Sequence, residues 1–429
     1  MQAYSQFSIS QLEQELAELM RQYEVCKEKG LKLDMSRGKP NSRQLDLSDG
    51  LTATVGGDMG FGAENGQDCR NYGMMDGLRE AKALFTEMLG VPVEQIIIGG
   101  NSSLNLMYDT IARAMLFGVP GSDKPWCKER RVKFICPTPG YDRHFAICQH
   151  FGIDMIAVDM TPAGPDMNRV STLVRSDPAI KGIWCVPKYS NPTGYTCSRR
   201  TVERFAELRP AAQDFRIFWD NAYCVHGFRE TDDELACLMD ELKKEGKEDM
   251  AFIFASTSKV SYAGAGLAAV GASPANIDFL KKQMSFQTIG SNKVNQLMHA
   301  RFFRDFDGIR AHMKKHAELV RPKFDLVLET LERELGGLGI ADWTSPNGGY
   351  FISFNTPDNC AKRAVELCGE AGVVVTPAGS AYPYGIDPRD RNIRIAPTYP
   401  TMDELRQATE LFCLCVRIAA VERFLTISV

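Results

Sequence analysis

The sequence predicts an α/β fold built around a mainly parallel β-sheet. Four short apolar runs of strand length end at Cys136, Pro187, Trp219 and Phe254, and segments of helical composition separate them. Strands that alternate with helices are typical of parallel sheets, whose ligands lie at the carboxyl ends of the strands. Glycine-rich or polar segments follow these strands, so we expect a functional site along this edge.

Size and composition exclude several classes of protein. A chain of 429 residues can bury a large core and has room for two domains. Its net charge of −4 provides no basic surface for nucleic acid, and no apolar run is long enough to predict a membrane span. The 13 cysteines form no CxxC pair, and the N-terminus is polar. These features favour reduced thiols, a cytoplasmic location and no metal site.

The N-terminal region is predicted to contain a helix followed by a cationic loop. Leucines recur at helical spacing between residues 8 and 29, and Ser10 is the predicted N-cap. Arg37 and Lys39 follow on a short segment that contains Gly38. A solvated turn and a loop that faces an anion fit this pattern equally well.

A glycine turn after the next strand is a candidate phosphate site. Tyr72 precedes a helix predicted over residues 75–89, and the following strand ends in two glycines. The side chains of Asn101, Ser102 and Ser103 then begin another helix, whose open backbone amides attract phosphate. A plain turn between strand and helix remains an equal alternative for this segment alone.

Three later strands are also followed by polar or aromatic groups. Tyr141 follows a proline-rich turn, and Asn191 begins an Asn-Pro-x-Gly turn. Asp220 ends an apolar strand, where a carboxylate is costly unless it meets a cation, and Tyr223 lies three residues further on. Ordinary packing or turn formation explains the tyrosines and Asn191 when each is considered alone.

Lys259 follows the last of these strands, among small and hydroxyl residues that include Ser256. A desolvated lysine loses its proton more easily, and a neutral amine condenses with an aldehyde. A surface lysine is the alternative for this residue alone. However, five such groups are predicted at one sheet edge: Gly100, Tyr141, Asn191, Asp220 and Lys259.

Together these groups suit pyridoxal phosphate (PLP). Lys259 would hold the cofactor aldehyde as a Schiff base, and Asp220 would keep the pyridine nitrogen protonated. Asn191 and Tyr223 would donate hydrogen bonds to the phenolic oxygen of the cofactor, and Tyr141 would stack on its ring. The phosphate would be bound by Asn101, Ser102, Ser103 and Ser256.

The chain resembles the class I aminotransferases of fold type I over nearly its whole length. The positions that carry the resemblance are Gly38, Tyr72, Tyr141, Asn191-Pro192-x-Gly194, Asp220-x-x-Tyr223, Ser256-x-x-Lys259 and Arg394. The segments around Gly38, Gly264 and Arg394 are similar to the bacterial subgroup described as aspartate aminotransferase-like, type Ic.

The resemblance implies a large domain over residues 56–305 with a seven-stranded, mainly parallel sheet. A smaller α+β domain would combine residues 306–429 with an N-terminal arm, residues 1–55. It also implies a homodimer in which Tyr72 reaches the phosphate bound by the neighbouring subunit.

Catalytic roles would fall to Lys259, Asp220 and Tyr223, with Lys259 moving the substrate proton. Arg394, beside Asn191 and Gly38, would bind the substrate α-carboxylate as a fork that lysine could not copy.

The sequence departs from the class pattern at one position. An arginine that usually pairs with the phosphate, about eight residues after the lysine, is replaced by Leu267. Lys293 is the candidate replacement, either within the chain or across the dimer, although it could also be a solvated lysine.

The predicted reaction is ping-pong transamination from aspartate to 2-oxoglutarate, with Arg37 binding the second carboxylate. Alternatives are β-elimination, decarboxylation, cyclopropane formation, or transamination of aromatic or 2-aminoadipate-type substrates. A ligand-sensing DNA-binding regulator is disfavoured, because only one helix precedes the Arg37 loop and the chain is acidic.

Overall fold

The computed structural model describes residues 2–427. The strands are β1 (Leu33–Asp34), β2 (Ile96–Ile98), β3 (Lys133–Thr138), β4 (Asp154–Thr161), β5 (Gly164–Pro165), β6 (Ile180–Cys185), β7 (Arg216–Asp220), β8 (Ala251–Ser256), β9 (Ala268–Ala272), β10 (Asp342–Trp343), β11 (Ile352–Asn355), β12 (Val373–Val374) and β13 (Asn392–Ile395). The helices are α1 (Ile9–Glu28), α2 (Ser42–Asp46), α3 (Arg79–Ala83), α4 (Thr86–Leu89), α5 (Ser103–Phe117), α6 (Asp142–His150), α7 (Met167–Ser176), α8 (Arg199–Ala206), α9 (Leu238–Lys244), α10 (Pro274–Met284), α11 (Lys293–Phe303), α12 (Phe306–Leu335), α13 (Ala361–Glu370) and α14 (Met402–Ile427).

The large sheet has the strand order β2-β9-β8-β7-β6-β3-β4-β5. Its five central strands, from β8 to β4, are parallel, whereas β9 is antiparallel to both of its neighbours and β5 is antiparallel to β4. The predicted α/β fold with a mainly parallel seven-stranded sheet is confirmed, and β5 adds a two-residue edge strand.

The central strands carry apolar side chains on both faces, because helices cover the sheet from both sides. One core cluster packs against α3, α4, α7, α8, α9, α11 and the start of α12. The other packs against α5, α6 and α10. Parallel pairing sets Asp220 level with Phe254, so β7 and β8 end at the same edge of the sheet.

A second unit brings the two ends of the chain together. Leu12, Leu19 and Tyr23 of α1 share one apolar cluster with residues of α12, α13 and α14. The strand β1 pairs in parallel with β12, and β10, β11 and β13 form a small antiparallel sheet. The domain boundaries at residues 55 and 305 stay predictions, and residues 1, 428 and 429 lie outside the described residues.

Two local predictions were wrong. Ser8, not Ser10, is the N-cap of α1, because its hydroxyl accepts a hydrogen bond from the Gln11 amide and the Gln11 side chain accepts one from the Ser8 amide. The helix predicted over residues 75–89 is two short helices, α3 and α4. Gly77 has a φ of +102°, which no right-handed helix allows, so the helix starts only at Arg79.

No helix within residues 2–427 is long and apolar enough to cross a membrane. The same residues contain no group of three or more histidine, cysteine, aspartate or glutamate side chains arranged to hold a metal ion. All 13 cysteines are free thiols.

Candidate active site

Asp220 lies at the end of β7, and its side chain is only 4% exposed. His144 donates a hydrogen bond from Nε2 to Asp220 Oδ2 at 3.0 Å. The other oxygen, Oδ1, is buried and has no hydrogen-bond partner anywhere in residues 2–427. A buried acceptor without a partner is unfavourable, so this carboxylate is arranged to receive one further N–H donor.

The structure identifies His144 as a site residue that sequence reasoning missed. Its ring stacks on Trp184 with a centroid distance of 4.3 Å and an interplanar angle of 9°. The Tyr141 ring also packs against it, at a centroid distance of 4.9 Å and nearly perpendicular. This packing fixes the imidazole in one orientation toward Asp220. The sequence gives only a weak indication of this role for His144, because a single histidine in the first turn of a helix is more often a packing residue.

Lys259 and Tyr223 face each other across the carboxyl ends of β7 and β8. Lys259 Nζ lies 4.9 Å from the centroid of the Tyr223 ring and 5.9 Å from that of Tyr350. The amine forms no hydrogen bond or ion pair within the described part of the chain. Burial, and then the charge of Asp220, raises the pKa of the Tyr223 hydroxyl above its usual value. Lys259 therefore presents a free amine against aromatic rings.

Tyr141 belongs to the same electrostatic environment. Burial raises its pKa to about 12, while the positive charge of Lys259 acts in the opposite direction and Tyr223 and Asp220 add to the rise. Tyr141, Asp220 and Lys259, which were predicted at the ends of separate strands, are therefore close enough to interact electrostatically.

Arg394 extends from β13 of the small sheet toward the loop after β6. Its Nη1 donates to Asn191 Oδ1 and to Asp142 Oδ1, both at 3.2 Å. Its Nε is buried without a partner among the residues described. Asp142 was not predicted, and it occupies part of the guanidinium fork. An incoming carboxylate could take over that contact and also accept from Nε.

Phe351 connects Arg394 to Gly38. The guanidinium carbon of Arg394 lies 4.7 Å from the Phe351 ring centroid. A Cβ atom added to Gly38 would lie 2.1 Å from Cζ of the same ring. Only glycine therefore lets the Gly38 loop approach the ring on which Arg394 rests.

The predicted phosphate turn is tied to the Lys259 loop. Ser258 Oγ donates to the Asn101 carbonyl at 2.6 Å, and Asn101 Nδ2 donates to the Gly264 carbonyl at 3.1 Å. Ser102 is the N-cap of α5, but its side chain forms no capping hydrogen bond. The hydroxyl of Ser102 and the first amides of a 15-residue helix are thus available to an anion.

Position 267 cannot supply the cation that is missing from the class pattern. Leu267 is buried and pairs with Thr257, whose amide donates to the Leu267 carbonyl at 2.7 Å. Lys293 is buried at the start of α11, where Nζ donates to the Ser291 carbonyl at 3.4 Å. No carboxylate pairs with Lys293 in residues 2–427.

Two other predicted residues, Tyr72 and Arg37, have exposed side chains in this chain. Tyr72 is 79% exposed. Arg37 Nε donates to Asp34 Oδ2 at 3.0 Å, and its side chain is 64% exposed. Their proposed roles stay predictions.

Several buried histidines predict how stability depends on pH. Burial is the main cause that lowers the pKa of His226 to about 3 and of His299 and His316 to about 4. In the unfolded chain the pKa of a histidine is near 6.5. Below pH 6.5 the unfolded chain therefore binds more protons than the folded chain. The free energy of unfolding should therefore fall from pH 6.5 toward pH 4, by about 1.4 kcal/mol per pH unit for each histidine.

Urea unfolding of the holoenzyme at pH 7.5, 6.0 and 5.0 measures this loss. A His299→Gln variant should show a shallower slope, whereas a variant of the exposed His150, His150→Gln, should keep the slope of the parent protein. An equal slope for both variants would show that His299 does not contribute.

Comparisons with known proteins agree with this geometry. The family model for aspartate amino-transferase matches residues 7–427. The chain is 48% identical to an aminotransferase of Mycolicibacterium smegmatis over 94% of this chain and 95% of that protein. It is 45% identical to the aspartate aminotransferase of Corynebacterium glutamicum, over 95% and 94% respectively. The crystal structure of an aspartate transaminase from C. glutamicum superposes with a TM-score of 0.94 at 44% identity, covering 97% of this chain and 98% of that one.

The matched region contains the whole candidate site and both small sheets. The predicted family and enzyme class are confirmed. The chain belongs to the aspartate aminotransferase family and is an aminotransferase.

Proposed function

We propose that this enzyme transfers the amino group of L-aspartate to 2-oxoglutarate, using PLP held by Lys259. The observation that carries the cofactor assignment is the buried Oδ1 of Asp220, which has no hydrogen-bond partner within residues 2–427, together with the Lys259 amine over the Tyr223 ring. The name of the relative that is 45% identical supports aspartate as the donor.

The residues of the site fit PLP, the cofactor of this family. Asp220 Oδ1 would accept from the pyridine N–H, while His144 donates to Oδ2 and holds the carboxylate in place. Ser102, Ser256 and the amides of α5 would hold the phosphate. Bound in this way, PLP withdraws electrons from the substrate Cα.

Lys259 would accept the Cα proton of the substrate and return it. Its Nζ is poised over the Tyr223 ring, which keeps water from one side of the amine. Tyr223 and Asn191 would donate hydrogen bonds to the phenolic oxygen of the cofactor. The high pKa of Tyr223 keeps its hydroxyl protonated, as a donor requires.

Arg394 would bind the substrate α-carboxylate. Its Nε lacks a partner, and Nη1 shares its bonds between Asn191 and the half-exposed Asp142. Exchange of the Asp142 contact for the substrate carboxylate would give a two-point contact that fixes the orientation of Cα.

Arg37 is proposed to bind the second carboxylate of aspartate. It must first leave Asp34, and this exchange is inexpensive because exposed ion pairs contribute about 0–1 kcal/mol. An Arg37→Ala variant should raise KM for aspartate about tenfold or more and leave KM for alanine within about twofold. Steady-state kinetics with both donors measures the difference, and equal changes for the two donors would refute the role.

Lys293 is proposed to compensate the phosphate charge in place of the arginine missing at position 267. A buried ammonium without a carboxylate is costly, and a phosphate would supply the missing anion. A Lys293→Ala variant should weaken PLP affinity of the apoenzyme by about tenfold or more, as measured by fluorescence titration. The control is Lys282→Ala, on an exposed lysine of α10. Unchanged affinity in Lys293→Ala would exclude the role.

Members of this family are generally dimeric, and a homodimer is proposed here. Exposed apolar side chains follow one strip of surface: Tyr72, Leu116, Phe117, Phe286 and Ile289. The strip is continuous, since Gln287 bonds to Asp109 of α5 and Gly290 packs against the Gly73 carbonyl. A patch of this kind marks a protein interface, and a partner would let Tyr72 reach the second phosphate site.

A cytoplasmic location is also proposed, because free thiols persist in reducing compartments. The other chemistries possible on this scaffold, β-elimination and decarboxylation, share the same cofactor contacts. Transamination of aromatic or 2-aminoadipate-type donors is a further alternative.

Single amino acids added to the holoenzyme without a 2-oxo acid distinguish these functions. Aspartate should change the cofactor absorption fastest, and 2-oxoglutarate should restore it. Faster conversion by another donor would reassign the substrate, and release of pyruvate or ammonia without added 2-oxo acid would reassign the reaction.

A further inference from the structure

A further cavity lies next to the segment that runs from the end of β7 to Cys224 and contains Asp220 and Tyr223. Its volume is about 510 Å³, within the range of about 300–1,000 Å³ that is typical of small-molecule sites. It is bounded by α4, residues 224–238 and one face of α12. None of these segments contains a residue assigned above to substrate or cofactor.

The cavity and the active site share one wall. Asp220 and Tyr223 face His144 and Lys259, as their contacts show. Their direct neighbours in the sequence, Trp219, Asn221 and Cys224, line the cavity instead. A ligand there would contact the residues on either side of Asp220 without entering the active site.

The lining of the cavity combines apolar side chains with a hydrogen-bond acceptor that has no partner among the described residues. Its apolar lining includes Trp219, Leu235, Ile253 and Met313. Asn221 donates from Nδ2 to the Met88 carbonyl at 2.7 Å, which fixes the amide, whereas its Oδ1 is buried without a partner among residues 2–427. An aromatic ring that carries a donor satisfies both features.

The rim of the cavity presents unpaired charges of both signs. Arg310 is neutralised by Glu87 at 3.2 Å. In contrast, Lys314 and Glu230 line the same cavity, are exposed, and form no ion pair within the described residues. A cavity lined by a free cation and a free anion is complementary to a zwitterion.

We propose that this cavity binds an aromatic α-amino acid whose ring carries a hydrogen-bond donor, and that such a ligand is an effector of the enzyme. The ring packs against Trp219 with its donor toward Asn221 Oδ1. The carboxylate pairs with Lys314 and the ammonium with Glu230. Because Asn221 follows Asp220 directly, the ligand restrains the segment that holds the cofactor carboxylate. The binding itself does not depend on which donor the enzyme transaminates.

Calorimetric titration of L-tyrosine into the holoenzyme, without a 2-oxo acid, tests the proposal. L-Phenylalanine, which lacks the ring donor, should bind at least about fivefold more weakly. Lys314→Met should weaken L-tyrosine binding about tenfold or more, and Lys315→Met, one residue along α12 and outside the cavity, is the matched control. Ala236→Trp should fill the cavity and abolish binding.

An Arg394→Ala variant separates the two sites, because it removes binding at the active site and leaves the cavity intact. L-Tyrosine should still bind to this variant and should shift the absorption of its bound PLP. The proposal is overturned if binding is absent at millimolar concentration, if Arg394→Ala abolishes it, or if L-phenylalanine binds equally well. Retained affinity in Lys314→Met would overturn it even if Ala236→Trp failed to fold.

Discussion

Replacing Lys259 with alanine is expected to lower kcat/KM for aspartate and 2-oxoglutarate by at least about 10⁴-fold. The Lys259 amine can both hold an aldehyde and move a proton, and it is not engaged in any hydrogen bond or ion pair within residues 2–427. General-base catalysis alone contributes about 10²–10⁴-fold, and loss of the covalent anchor adds to this. Coupled steady-state assays of PLP-saturated enzyme measure the loss.

The control variant is Lys282→Ala, which changes an exposed lysine of α10 and should retain the parent rate. Borohydride reduction of the parent holoenzyme, followed by peptide mapping, should place the cofactor on Lys259 alone. Labelling of Lys188 or Lys293 instead, or more than a tenth of the parent rate in Lys259→Ala, would contradict the assignment.

Much of the site follows from the sequence because strand ends are local features. An apolar run followed by small or polar residues places Asp220 and Lys259 at strand ends with little tertiary information. Parallel pairing then makes those ends coincide, as the register between Asp220 and Phe254 shows. Arg394 needed the family resemblance, since a charged residue in a short strand is not distinctive.

The remaining contacts depend on packing that a single sequence does not encode locally. His144 matters because Trp184 and Tyr141 both pack against its ring, and Trp184 lies 40 positions further along the chain. Asp142 becomes part of the site only when β13 brings Arg394 beside α6. Tyr72 presents a different case, because its predicted role requires a second chain.

Asp220→Asn is expected to reduce kcat/KM for aspartate by roughly 30- to 5,000-fold. The substitution keeps the shape of the side chain but removes its negative charge, so the ring nitrogen of PLP would lose the proposed partner that keeps it protonated. Loss of one member of a buried charged pair costs about 2–5 kcal/mol, which corresponds to this range. Because β7 buries Asp220 almost completely, water cannot replace the carboxylate.

A His144→Asn variant serves as the comparison for Asp220→Asn. It leaves the Asp220 carboxylate in place and removes only the imidazole that orients it. We expect a loss of roughly 10- to 150-fold, because one hydrogen bond to a charged group contributes about 1.5–3 kcal/mol. The affinity of Asp220→Asn for PLP should fall by a smaller factor than its kcat, because the proposed phosphate contacts at Ser102 and Ser256 are not changed by the substitution. If Asp220→Asn and His144→Asn lowered kcat/KM equally, the free Oδ1 of Asp220 would have no separate role, and the ring nitrogen would have to be held by another group.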